Sequence, residues 1–172
     1  WARRRWALNK EAATGRELVF TLRGSKAMSD VVVKLYFSVY DRIPVIRKRM
    51  EVVNHSAFPV NVTSFKLERL AFAEPESPVG GNPEKFMLPN IHVESDFHAG
   101  GGFTEKETDA TEKWVVDPAY TSQRNYSMRT PCIMEVAPPL GPDQRIRAGE
   151  TFRSFCVYEM PFDSYDRERK GL

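Results

Sequence analysis

Apolar and polar residues alternate along most of this chain with a period of two, the pattern of strands that turn one face to a core and the other to water. Glu17-Leu18-Val19-Phe20-Thr21-Leu22-Arg23 is a strand candidate, closed by Gly24 and Ser25. Val31 to Tyr40 follows, rich in the β-branched and aromatic side chains that favour strands. A turn-like Asp41-Arg42-Ile43-Pro44 break separates it from Val45 to Val53, which predicts an antiparallel pair. After an Asn54-His55-Ser56-Ala57-Phe58-Pro59 turn, Val60 to Phe72 changes the parity of its apolar positions at Thr63-Ser64, predicting a bulge there. Cys132 to Val136, Gln144 to Arg147 and Thr151 to Met160 complete the regular strands, and Trp1 to Leu8 can supply one more. No segment carries a long helical period. The chain therefore predicts an all-β, antiparallel two-sheet sandwich spanning residues 1–160.

Residues 73–130 break this pattern. Pro75, Pro78, Gly80, Gly81, Pro83, Pro89 and Gly100-Gly101-Gly102 punctuate a polar stretch whose only apolar pieces are short, around Phe86-Met87-Leu88, Ile91-His92-Val93 and Trp114-Val115-Val116. An irregular segment of this length inside a compact domain is functional or loosely ordered. From Asp163 to Leu172 the chain becomes highly charged at helix-compatible spacings, as at the start of a helix that it does not complete.

Composition narrows the function classes. The 172 residues suit one domain, and 41% hydrophobic with 28% charged residues is an ordinary balance for a single core. A net charge of +2 does not point to nucleic acid, and Arg47-Lys48-Arg49 reads as the wet face of a strand rather than a phosphate groove. No apolar run approaches the roughly 18 residues of a membrane span. The start at Trp1, with neither an initiator Met nor an apolar leader, predicts a processed or excised chain. Cys132 and Cys156 are either one disulfide or two buried thiols.

Candidate chemistry is sparse, and no motif calls for a cofactor. His55 sits in a polar turn. His92, Glu94, Asp96 and His98 would face one side of an extended strand, a conceivable metal or acid/base cluster, though a solvated face is the stronger reading and no Cys framework or helical H-E-x-x-H supports a metal. Gly100-Gly101-Gly102 lacks the Lys-Ser/Thr and helix of a phosphate loop. Trp114, Asp117, Tyr120, Gln123, Arg124, Asn125, Tyr126 and Arg129 form the best candidate surface. Sugars stack their C–H faces on aromatic rings and hydrogen-bond to Asp, Asn and Arg. The competing reading makes Trp114 and Tyr126 plugs of the sandwich. Asn54-His55-Ser56, Asn61-Val62-Thr63 and Asn125-Tyr126-Ser127 match the glycosylation acceptor pattern.

Tyr40-Asp41-Arg42-Ile43-Pro44-Val45-Ile46-Arg47-Lys48, followed by Met50-Glu51-Val52-Val53-Asn54-His55-Ser56, resembles the amino-terminal β-supersandwich of α-galactosidase-like glycoside hydrolases, the family 36 group and its relatives. Tyr158-Glu159-Met160 and the run from Asp163 to Leu172 resemble the linker that leads such sandwiches into a (β/α)₈ barrel. The resemblance covers about two-thirds of the chain and is clearest at 36–56 and 121–172. It implies a galactose-mutarotase-like supersandwich, a linker from residue 161, and a downstream catalytic barrel as partner. It also implies a carbohydrate substrate and a periplasmic or extracellular setting. That family's catalytic carboxylates lie on the barrel, so none is carried onto this chain; the 90–130 segment is expected to shape the rim of the sugar pocket.

Three functions follow as expectations. The first is a non-catalytic accessory domain of a glycoside hydrolase. The second is a stand-alone carbohydrate-binding module using Trp114, Tyr120 and Tyr126. The third is a sugar mutarotase working through His92, Glu94 and His98.

Overall fold

A computed structural model of the chain describes residues 1–8, 11–72, 89–97, 110–118 and 132–162. The described residues form an all-β, antiparallel, sandwich-like fold. Its strands are β1 (Ala2–Leu8), β2 (Glu11–Arg23), β3 (Val31–Tyr40), β4 (Ile43–Asn54), β5 (Val60–Ser64), β6 (Glu68–Ala71), β7 (Ile91–Ser95), β8 (Glu112–Val115), β9 (Ile133–Val136), β10 (Pro142–Ile146), β11 (Thr151–Arg153) and β12 (Val157–Pro161). Seven of them make one large sheet in the order β1-β2-β3-β4-β12-β7, with β11 also pairing on β4. Two smaller sheets, β10-β5 and β6-β9-β8, cover one face of it.

The centre of the large sheet is the β3–β4 hairpin that alternation predicts, with Val31 opposite Asn54 and Val39 opposite Ile46. The turn is tighter than the sequence suggests. Ile43 and Pro44 belong to β4, and only Asp41 and Arg42 turn, Arg42 at a φ of 66°. Asp41 then anchors the corner, accepting hydrogen bonds from Thr14 Oγ1 at 2.6 Å and from Arg3 Nη1 at 2.8 and 2.9 Å. Gly15 lies opposite Tyr40, and a Cβ there would stand 2.0 Å from the Val39 carbonyl oxygen. Only glycine lets the β3 backbone approach β2 so closely where the register shifts after Val39.

Other boundaries differ from the alternation pattern for identifiable reasons. The parity change at Thr63-Ser64 is a change of sheet and not a bulge: β5 ends at Ser64 and pairs with β10, while β6 starts at Glu68 and pairs with β9. Phe65 and Leu67, in the link, face the core between the two small sheets. The run from Thr151 to Met160 is likewise two strands, because Ser154 to Cys156 leaves the ladder between β11 and β12. Within the stretch from 73 to 130, β7 and β8 are regular and the few described residues flanking them are not in strands; the rest of the stretch lies outside the described residues, as does the charged run from 163 to 172. Trp1 to Leu8 does supply a strand, at the edge of the large sheet. Cys132 and Cys156 are both buried, and no disulfide joins them.

Two clusters form the core. Val31, Val52 and Phe152 from the large sheet meet Ile146, Val60 and Val62 of the two-stranded sheet. Val157 meets Leu67, Met134 and Val136. Asn54, with no exposed surface, ties the two ends of this arrangement together. Its amide nitrogen donates to the carbonyls of Phe58 (2.7 Å), Ile146 (3.2 Å) and Arg147 (3.2 Å), and its Oδ1 accepts from the Ser56 amide (3.0 Å) and hydroxyl (2.6 Å). Its own backbone pairs with Glu150 and Gly149. One side chain thus closes the β4–β5 turn onto the β10–β11 turn. This burial also removes Asn54 as a glycosylation acceptor in the folded chain.

Candidate functional site

The sequence-predicted residues separate once the strands are paired. Trp114 lies on β8 opposite Met134, half-buried against the second core cluster, its ring 5.5 Å from that of Phe72. It thus packs against the sandwich as the plug reading expects. Asp117 lies just beyond β8 and is half-buried, with interactions of its own. Tyr120, Gln123, Arg124, Asn125, Tyr126 and Arg129 lie outside the described residues, as do His98 and the glycine run at 100–102.

His92 and Glu94 do share one face of β7, as the spacing predicts, and His92 Nε2 is 2.8 Å from Glu94 Oε1 with both side chains exposed. Asp96 is occupied otherwise: its Oδ1 accepts the Cys156 amide at 2.5 Å. Among the described residues no three His, Cys, Asp or Glu side chains are grouped to hold a metal. His55 is exposed in its turn.

Two polar constellations emerge that residue spacing alone does not reveal. The first is buried on the covered face of the large sheet. Lys48 Nζ donates to Glu68 Oε2 at 2.7 Å, and the Arg69 amide donates to Glu68 Oε1 at 2.8 Å. Glu159, 7% exposed, lies beside them, and its Oε1 has no partner among the described residues. Burial, then the hydrogen bond and charge of Glu68, push the Glu159 carboxyl up to about 8 against the pull of Lys48. Two carboxyl groups at one low-dielectric site do not both ionise readily, and Glu159 keeps its proton near neutrality. A carboxyl protonated near neutrality is what a general acid requires. This one is sealed between sheets and out of reach of a substrate.

The second constellation lies on the opposite, outer face. The register sets Glu94, Tyr158, Arg47, Ser38 and Glu17 in one row across β7, β12, β4, β3 and β2. The next row sets Arg49 beside Tyr36, and the one after it sets Arg153 beside Glu51. Glu51 gathers three donors: Tyr36 Oη at 2.7 Å, Arg49 Nη1 at 2.8 Å and Arg153 Nε at 3.3 Å. The Arg49 guanidinium stacks 3.5 Å from the centroid of the Tyr36 ring. Burial raises the Glu51 pKa, and these donors more than reverse it, so its carboxylate stays below its ordinary value. Buried Glu17 accepts from Ser38 Oγ at 3.2 Å and Arg4 Nε at 3.1 Å. Trp6 from β1, its ring 5.0 Å from that of Tyr40, closes one side.

Together these groups line an open cleft of about 490 Å³, walled by Trp6, Arg47, Arg49, Arg153 and the Ser154–Cys156 turn, with Glu17 and Glu51 in its floor. That size lies in the range of small-molecule sites, roughly 300–1,000 Å³. The signal for it is present in the sequence, as the polar phase of β3 and β4: Arg47 and Arg49 lie on the outer face as a strand's wet face would, whereas Lys48 between them turns to the covered face. What alternation omits is the pairing register, which brings five strands' polar residues into one surface, and the β11–β12 turn, which gives that surface a wall. Comparison with family models, with curated proteins and with solved structures finds no match to this chain.

Proposed function

We propose that the chain is a non-catalytic β-sandwich domain of an α-galactosidase-like glycoside hydrolase. In this reading it packs on a catalytic barrel of the same polypeptide and shapes the approach to its sugar cleft. The observation that carries this reading is the location of the residues that resemble that family. Tyr40 to Pro44 forms the central hairpin corner, anchored through Asp41, and Asn54-His55-Ser56 provides the buried clamp between the two turn-bearing ends. Residues that define the architecture are where relatives with diverged surfaces would still agree, so the resemblance falls on the part of the molecule that sets the fold. The position of Glu159 supports the non-catalytic role, because the carboxyl with the most acid-like character is enclosed by the core.

The test is the intact mass of the native gene product, followed by its activity on an aryl α-galactoside. A mass several-fold above 19.7 kDa, with the chain continuing past Leu172 and α-galactosidase activity in the product, is the expected result. A native product near 19.7 kDa would overturn the reading.

A further inference from the structure

The outer cleft carries an imbalance of charge. Three guanidinium groups, from Arg47, Arg49 and Arg153, line it with two carboxylates, Glu17 and Glu51, and Arg4 reaches Glu17 from beside it. Arg49 and Arg153 share Glu51, and Arg4 takes Glu17. Arg47 is left over. Among the described residues it has no carboxylate within ion-pair distance; its Nε and Nη2 both point at the Cys156 sulfur, at 3.2 and 3.1 Å, and the Tyr40 hydroxyl is its other neighbour. A thiol sulfur is a weak acceptor, and burial raises the Cys156 pKa despite Arg47, so the partner is a neutral thiol and not a thiolate. A half-buried guanidinium without a counterion is costly in the absence of a compensating anion. A guanidinium that lines a cleft suits a carboxylate.

The wall opposite adds a second requirement. Trp6 lines the same cleft as Arg47, its ring 5.0 Å from that of Tyr40. An indole face accepts an apolar C–H surface. A bare inorganic anion would use the guanidinium and leave the indole idle. A neutral sugar would use the indole and leave Arg47 unmatched.

We propose that this cleft binds a uronate, a sugar ring carrying a carboxylate, with the carboxylate on Arg47 and the ring against Trp6. The site needs neither a catalytic barrel nor the accessory role, so a small native product would remove the accessory reading and leave this inference standing.

The experiment titrates the full chain at low ionic strength with glucuronate, glucose and acetate, followed by NMR at the indole N–H signals and by calorimetry. Glucuronate is expected to saturate the site and shift the Trp6 indole, with glucose and acetate each at least tenfold weaker. Arg47→Gln is expected to weaken glucuronate at least tenfold while the thermal midpoint stays near that of the parent. Should that variant fold poorly, Arg47→Lys keeps the charge and loses the fork, and the same tenfold loss is expected. Glucose binding as tightly as glucuronate would overturn the inference. So would saturation by none of the three probes, or undiminished affinity in a folded Arg47 variant.

Discussion

The large sheet carries charge on both of its faces and treats it in opposite ways. On the covered face, Lys48, Glu68 and Glu159 are packed between sheets, and the low dielectric is resolved by leaving a proton on one carboxyl. On the outer face, Glu51 is ringed by Tyr36, Arg49 and Arg153 and stays ionised beside water. The same residue types, one strand phase apart, thus become a neutralised core element and a charged binding surface. Burial decides between them, and burial depends on which sheets cover which face.

The sharpest way to break that comparison is to open the covered face. Asn54→Ala removes the clamp that holds the β10–β11 turn over it, leaving the carbonyls of Phe58 and Ile146 and the Ser56 amide to find other partners. At roughly 1–3 kcal/mol for each buried group left unsatisfied, a loss on the order of 4 kcal/mol is expected. Urea unfolding would check it, and a loss under about 1 kcal/mol would show that the two turns hold without the clamp.

Trp114→Ala tests the same face from the three-stranded sheet. Its half-buried ring packs on Phe72 and the Val157 cluster, so a cost of about 3 kcal/mol is expected, the low end for a buried aromatic. An unchanged urea midpoint would return Trp114 to the role of a surface platform.

The inner network sharpens the comparison through pH. The folded Glu159 pKa, about 8, is raised above its ordinary 4.5, so the folded state holds this proton more tightly than the unfolded chain. The stability it contributes is complete below about pH 4.5 and is lost as pH rises through about 8, with a slope of up to ~1.4 kcal/mol per pH unit. Glu51 and Glu135 have lowered values, so their contributions are present at neutral pH and lost only at acid pH, outside this window. Glu159→Gln cannot ionise and is expected to flatten the decline between about pH 5 and pH 8. Parallel slopes for parent and variant in urea melts across that range would place the neutral carboxyl elsewhere.

These contrasts explain what the sequence made legible. Alternation located β3 to the residue and identified the β3–β4 hairpin, because both strands are long and one face of each is wholly apolar over Val31, Val33, Met50 and Val52. It misread Thr63-Ser64 as a bulge because a parity change within one strand and a crossing between sheets leave the same local signature. The candidate site fared differently. A tryptophan that stacks on a sugar and one that fills a core are the same letter, so alternation leaves both readings of Trp114 open; the pairing of β8 with β9 adds that its ring packs near Phe72. The cleft was out of reach for a related reason: Trp6, Arg47 and Arg153 are far apart in sequence and meet only through the strand order.

The outer face should yield the smallest effect, and that is the comparison's last test. Arg153 is 76% exposed, and its 3.3 Å contact leaves Glu51 two other donors. Exposed ion pairs contribute little, so Arg153→Gln is expected to shift stability by under about 0.5 kcal/mol, and to shift it less as salt is added. A salt series of urea melts would check both points. A loss above about 2 kcal/mol would mean that Glu51 depends on Arg153 for its charge. The outer face would then be a structural network of the same kind as the inner one, and the contrast between a surface organised for a ligand and a core that neutralises its charges would disappear.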